Sequence, residues 1–307
     1  MRVFVTGGTG LVGTRLVKKL LGRGDTVVLL TRQPADQVRA RFTGAEVVHG
    51  DPTTPGPWQG AAADCDGVIH LAGENIFARR WNDDFKKLLH DSRTAGTRNV
   101  VAAVSREPLR ADGAPKVLVS ASAIGIYGPR GDEELDENSP PGSDFLATLC
   151  IDWEKEAREA EKAGVRTALV RVGVVLDKEG GALAKMLTPF KWCVGGQVSS
   201  GRQYMSWIHH EDLVGLFLLG LDHPEAKGPL NGTAPNPVTN YDFTKALGRA
   251  LHRPTIFPIP AFAMRLRFGE VANVLTTGQR VLPRKPLAVG YQYEFTNVDA
   301  ALTDILG

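Results

Sequence analysis

Along the first half of the chain, short continuous apolar runs alternate with stretches in which apolar residues recur every three or four positions. The runs are RVFVT at 2–6, TVVLL at 26–30, 46–48, GVIHL at 67–71, KVLVSA at 116–121 and RTALVRV at 166–172. Runs without apolar–polar alternation read as strands buried on both faces. After the first of them, Leu11, Leu16, Val17, Leu20 and Leu21 keep helical spacing, and helices are predicted likewise over 34–42, 83–106 and 145–163. Strand and helix alternating in this way predict an α/β fold, a doubly wound parallel sheet with helices on both faces. Past about residue 176 the rhythm changes: Gly and Pro become frequent, segments shorten and the alternation is lost.

Composition narrows this picture by exclusion. The 307 residues are 43% hydrophobic, enough for a sizeable core, and the formal net charge is only +2. Near-balance gives no reason to expect a nucleic-acid or membrane partner. Three cysteines, Cys65, Cys150 and Cys193, lie far apart with no CxxC pair, which argues for a reducing compartment and against a disulfide framework. The seven histidines show no ligand spacing, so no metal is expected. No apolar run reaches the roughly 18–20 residues of a membrane span. Met1-Arg2 leads straight into a strand rather than a signal peptide, so a cytoplasmic location is expected.

The strongest chemical signal is the turn Thr6-Gly7-Gly8-Thr9-Gly10-Leu11-Val12-Gly13, between the first strand and the first helix. It fits GxGxxG through Gly8, Gly10 and Gly13, and GxxGxxG through Gly7, Gly10 and Gly13. Glycines here permit the tight turn, let a pyrophosphate approach the backbone and let the helix pack on the strand. The helix N-terminus then offers unpaired N–H groups and partial positive charge to the phosphates. This is a Rossmann arrangement, and residues 1–176 are expected to form the dinucleotide-binding domain. Residues 177–307 are expected to form a smaller, mixed α/β substrate-side region, with some segments returning to the core. Where an NAD site usually carries Asp or Glu, the second strand ends Leu30-Thr31-Arg32. Arg32 suits a 2′-phosphate, so NADP(H) is the expected cofactor. Asp51, after the third strand, either faces the adenine or caps a turn before Pro52.

The turn, together with HLAG at 70–73 and SASAIGIYG at 120–128, resembles the extended short-chain dehydrogenase/reductase superfamily. More narrowly, the chain is similar to its atypical epimerase-family branch, some bacterial members of which carry a cell-division label. The carriers are LAGENI at 71–76, RRW at 79–81, SR at 92–93, WE at 153–154, RVGVVL at 171–176, WIHHEDL at 207–213, LNGTAP at 230–235 and GYQYEF at 290–295. The resemblance implies cofactor contacts from Gly7, Thr9, Gly10, Leu11, Val12, Gly13, Thr31 and Arg32. It implies others from Leu71, Ala72, Gly73, Arg93 and Ser120, with the backbone at Val174 and Val175 near the nicotinamide.

Active members of that superfamily use a Ser and a YxxxK dyad, followed four residues later by Glu in the extended branch. With Glu154 at the Glu position, the Lys position falls on Cys150 and the Tyr position on Leu146. Leucine carries no proton and a neutral thiol supplies no positive charge. Ser122 fits the family serine, and Tyr127 is the substitute acid to consider, against the alternative of a packing tyrosine with a satisfied hydroxyl. Glu74 and Asn75 follow the fourth strand at the sheet edge where ligands bind, unless they only cap the loop. His209 lies beside the expected cleft, and Trp207 is either a pocket wall or core. The expectation is an NADP(H)-binding oxidoreductase or epimerase-like enzyme without the dyad, or a non-catalytic NADP(H)-binding regulator. Its partner is an unidentified small-molecule substrate, and a homodimer stays open as an assembly.

Overall fold

The computed structural model describes residues 1–307. Its first half runs β1 (Arg2–Thr6), α1 (Leu11–Gly22), β2 (Thr26–Thr31), α2 (Ala35–Arg41), β3 (Glu46–His49), α3 (Trp58–Ala63), β4 (Gly67–His70), α4 (Asp83–Val104) and β5 (Val117–Ala123). There follow β6 (Glu134–Leu135), α5 (Phe145–Arg158), β7 (Arg166–Val172), β8 (Val174–Leu176), α6 (Gly181–Lys191), β9 (Tyr204–Met205), β10 (Trp207–His209), α7 (His210–Asp222) and β11 (Gly228–Gly232). The chain closes with β12 (Val238–Thr239), α8 (Asn240–Leu251), α9 (Ala261–Phe268), α10 (Asn273–Thr276), β13 (Arg280–Val281), α11 (Arg284–Ala288) and α12 (Val298–Leu306).

Seven of these strands form one parallel sheet in the order β11-β7-β5-β4-β1-β2-β3. The strand order reverses between β1 and β4, and in such sheets ligands bind in the crevice at that switch point. The apolar runs are continuous because alternate residues serve opposite cores. Val3, Val5, Val27, Leu29, Val117 and Val119 pack with Leu16, Leu20, Leu213 and Phe217 of α1 and α7. Phe4, Val28, Leu30, Val68 and Leu118 pack with Trp58, Val100, Val104 and Ala157 of α3, α4 and α5. A third core joins Leu176, Leu183, Trp207, Phe243, Leu247, Val298 and Leu302, and carries the C-terminal part.

Two details differ from the pattern read along the sequence. The helix read over 145–163 is α5 plus a separate 3-10 turn at Glu159–Ala163, ended by Gly164 in the left-handed region. Helix α3 spans only six residues, too few for a 3.6-residue period to show. Beyond residue 176, α7 and β11 return to the central sheet, while α6, α8 and α12 build the third core.

Candidate functional site

The glycine turn lies at the switch point. Gly7 has φ +70°, and a Cβ there would fall 2.8 Å from the Ala72 nitrogen, so the turn after β1 lies directly against the chain leaving β4. A Cβ at Gly13 would fall 2.3 Å from the Gly7 oxygen, and one at Gly8 2.3 Å from Leu29 Cδ1. These three glycines let chain and helix close up. Gly10 differs: a Cβ there meets only the Gly7 oxygen, at 3.2 Å, and the residue is exposed. Most longer helices have a side chain at the N-cap, as Asn82 and Asp144 serve α4 and α5. Helix α1 has neither a side-chain cap nor an acid in its first turn. Its positive end therefore opens bare on the crevice.

A lock behind the turn holds its two sides together. The Thr6 hydroxyl lies 2.6 Å from His70 Nδ1 and accepts the Ala72 N–H at 3.3 Å. His70 is completely buried, and burial together with nearby Arg93 pushes its pKa down to about 4, so the ring is neutral. On the far side, Arg15 donates from α1 to the buried carboxylate of Asp177 at 2.6 Å, bringing the segment after β8 over the helix N-terminus. Val174, in β8, donates its N–H to Ser206.

At the end of β2, Thr31 is buried and accepts the Gln33 N–H, while the Arg32 side chain is largely exposed. Asp51 lies 3.7 Å from Arg32 and also accepts from the Thr53 N–H and hydroxyl, so it does cap a turn. Burial raises the Asp51 pKa, but the Thr53 bonds and Arg32 outweigh it and leave a net lowering. Sequence reasoning missed Arg41, whose guanidinium donates from α2 to the Thr9 carbonyl and the Thr14 hydroxyl. The only signal for it was a further pair of arginines, Arg39 and Arg41, seven and nine residues after Arg32.

Leu146 and Cys150, where the resemblance puts the dyad, form an apolar wall. Cys150 is buried and its thiol is pushed up to about 12 by burial, so it stays protonated. A Cβ on Gly125 would stand 3.3 Å from Leu146 Cβ and 4.0 Å from Cys150 Sγ. Near this wall, Arg93 donates to the Leu89 and Glu74 carbonyls, lies 5.1 Å over the Trp153 ring and touches Gly73. The Glu74 N–H donates to the Ser92 hydroxyl and Asn75 Oδ1 accepts the Phe77 N–H, so both residues shape the loop after β4.

The structure removes the two expected proton-handling groups from the role suggested for them. Tyr127 is completely buried, donates to Asn231 Oδ1 at 2.7 Å and accepts from Arg171 at 2.8 Å. Burial pushes its pKa up to about 12. The Ser122 hydroxyl is buried and donates to Glu154 Oε1 at 2.8 Å. Arg171 grips both oxygens of Glu154, at 2.8 and 3.0 Å, and Glu137 accepts the Asn231 N–H. Six side chains from five segments thus satisfy one another in the interior, as a buried ion pair requires. Ser120 is also buried, its hydroxyl donating to the Ala121 carbonyl rather than facing the crevice.

Trp207 and His209 are corrected in the same way. Trp207 is fully buried in the third core, with its indole N–H on the Asn236 carbonyl. His209 is the N-cap of α7, accepts the Glu211 N–H and stacks on Phe295. Burial pushes its pKa down to about 4. Neither lines the crevice, because β10 pairs with β8 beneath α12 rather than ending at the sheet edge.

Residues 3–233 match the family model described as the NAD dependent epimerase/dehydratase family, and residues 259–305 match a domain of unknown function, DUF1731. The chain belongs to the NAD dependent epimerase/dehydratase family. Within it, the chain is 41% identical to the chloroplastic SDR39U1 homolog of Arabidopsis thaliana, over 100% of this chain and 87% of that one. It superposes on the crystal structure of human epimerase family protein SDR39U1 (isoform 2) with NADPH at a TM-score of 0.86. The identity is 38%, covering 100% of this chain and 99% of the other. UDP-glucose 4-epimerase of Thermotoga maritima shares the fold, with a TM-score of 0.79 at 14% identity over 100% and 97% of the two chains. No helix is long and apolar enough to cross a membrane.

Proposed function

We propose that the crevice between β1 and β4 binds NADP(H), with the pyrophosphate on the bare end of α1 and the 2′-phosphate beside Arg32. The end of β2 carries this reading: it presents an exposed guanidinium where an NAD site presents a carboxylate. The 3.7 Å contact with Asp51 is long and largely exposed, too weak to withhold Arg32 from a phosphate. Arg41 adds a second cation beside the turn. The human relative crystallised with NADPH, similar over the whole chain, supports the same cofactor here. A charge-assisted hydrogen bond contributes about 1.5–3 kcal/mol, so NADPH is expected to bind roughly 10- to 150-fold tighter than NADH. Fluorescence titration checks this, and Arg32→Ala is expected to bring the two affinities close together. Equal affinities in the wild type, or an unchanged ratio in the variant, would overturn the assignment.

We further infer oxidoreductase or epimerase-like chemistry on a small molecule approaching past Glu74 and Asn75. When bound, NADPH supplies hydride. This chain supplies orientation, which alone contributes several kcal/mol. Its Leu146–Cys150 wall supplies no acid, and a positioned acid–base typically contributes about 10²–10⁴-fold in rate. A second reading, a non-catalytic NADP(H)-binding regulator or redox sensor, is favoured by one observation: the hydroxyls of Ser122 and Tyr127 are both consumed in the buried network. NADPH oxidation across a panel of carbonyl compounds separates the readings. The enzyme reading expects slow wild-type turnover that rises in the Leu146→Tyr/Cys150→Lys double variant by a larger factor than NADPH affinity changes. No turnover in either protein would favour the regulator. Fast wild-type turnover would place proton delivery on a group other than Leu146, Cys150, Ser122 and Tyr127, and sensitivity to Tyr127→Phe or Ser122→Ala in a folded variant would return it to the buried network.

A further inference from the structure

The net charge of +2 hides a segregation that the fold brings to one surface. Residues 180–210 and 243–269 contain eight Lys and Arg and not one Asp or Glu. The rest of the chain carries 28 Lys and Arg against 34 Asp and Glu. Tertiary contacts knit the two acid-free segments together. Val198 bridges Ile259, the Ser199 N–H donates to the Ile259 carbonyl at 2.8 Å, and the Ile259 N–H donates to the Gln197 carbonyl at 2.7 Å. Arg253 reaches the Lys191 carbonyl. Of the eight cations only Arg249 has a carboxylate partner, Asp299.

The same segments hold the six most exposed large hydrophobic side chains in the protein. Trp192, Val194, Ile256, Phe257, Phe262 and Leu266 are between 57% and 77% exposed. Phe262 and Leu266 stand one turn apart on α9, beside Arg265 and Arg267, and no residue of that helix is buried. Scattered exposed hydrophobics are ordinary, but a group rimmed by unpaired cations is not.

We propose that this face, formed by residues 190–202 and 253–267, docks peripherally on an anionic lipid bilayer. A bilayer satisfies both halves of the surface: headgroup phosphates take the cations, and the interfacial region takes the aromatic and aliphatic side chains. A second copy of the chain fits less well, because a two-fold contact sets each cationic patch against its own image. A nucleic acid answers the charge and leaves the apolar side chains in water. The surface is a place of attachment, since no helix here is able to span.

Trp192 is the main built-in reporter, because it is 77% exposed while Trp58, Trp153 and Trp207 are buried and Trp81 is half-buried, and Trp192→Phe separates its signal from that of Trp81. The full chain is mixed with phosphatidylcholine vesicles, or with vesicles containing 30% phosphatidylglycerol, and followed by co-sedimentation and tryptophan emission. Binding to the anionic vesicles is expected to be at least ~10-fold stronger, to weaken with salt and to shift the emission to the blue. Phe262→Ser/Leu266→Ser and Arg265→Glu/Arg267→Glu alter exposed side chains only, and each is expected to weaken it at least ~10-fold with the melting temperature unchanged. Equal binding to both vesicle types, or full binding by folded variants, would overturn the proposal. So would oligonucleotide binding that outcompetes vesicles and ignores the serine variant, or a solution dimer that the serine variant dissociates.

Discussion

Replacing Gly10 by valine is expected to abolish NADPH binding while leaving the protein folded. The backbone at Gly10 has φ −76°, which any residue adopts, and an added Cβ meets only the Gly7 oxygen at 3.2 Å. The fold therefore loses little. The side chain instead fills the space in front of the α1 N-terminus, where the pyrophosphate is to sit. Losing two charge-assisted hydrogen bonds of about 1.5–3 kcal/mol each weakens affinity by roughly 100-fold or more. Gly13→Val is the matched control. Its Cβ would collide with Gly7 at 2.3 Å, so that variant is expected to lose both melting temperature and binding. Titration with NADPH beside a thermal melt checks both. Near-wild-type affinity in a folded Gly10→Val protein would move the cofactor away from this turn.

The largest effect on stability is expected at Glu154. Its carboxylate takes two hydrogen bonds from Arg171 and one from Ser122, all in the interior. Glu154→Ala leaves the Arg171 charge buried beside Tyr127 with no paired carboxylate, since its remaining bonds go to a phenol and to the Glu137 carbonyl. Breaking one side of such a pair costs about 3–5 kcal/mol. At roughly 2–3 °C per kcal/mol for a chain of this size, the melting temperature falls by about 6–15 °C. The joint replacement Glu154→Met/Arg171→Met removes both charges and is expected to cost less than the single change. Urea unfolding of the three proteins tests this. A loss below about 1 kcal/mol in Glu154→Ala would mean that water reaches the pair and screens it.

These expectations draw differently on sequence and fold. The glycine turn was readable because local backbone geometry dictates residue type: Gly7 needs a positive φ, and Gly8 and Gly13 have no room for a Cβ. Five of the six predicted strands were readable because each is short, apolar and buried on both faces, while β3, at the sheet edge, is at most half-buried. That Leu146 and Cys150 offer neither an acid nor a cation was readable as well, since side-chain chemistry is the same in any fold. Arg32 was legible from a substitution, a cation where a carboxylate is expected.

What the sequence by itself determined, then, was the α/β layering, the position of the glycine turn and the lack of an acid or a cation at 146 and 150, all properties of neighbouring residues or of residue chemistry. Only the tertiary structure decided where the polar side chains point. Ser122 and Tyr127 lie beside the expected site in sequence, yet Arg171, 44 residues beyond Tyr127, draws both into a buried network with Glu154 and Asn231. His209 and Trp207 turn inward because β10 pairs with β8. The acid-free segments at 180–210 and 243–269 become one surface only when Ile259 bonds to Gln197 and Ser199. Hydrogen bonds and charge pairing at long range set these outcomes, and spacing along a chain carries no record of which distant partner a side chain meets.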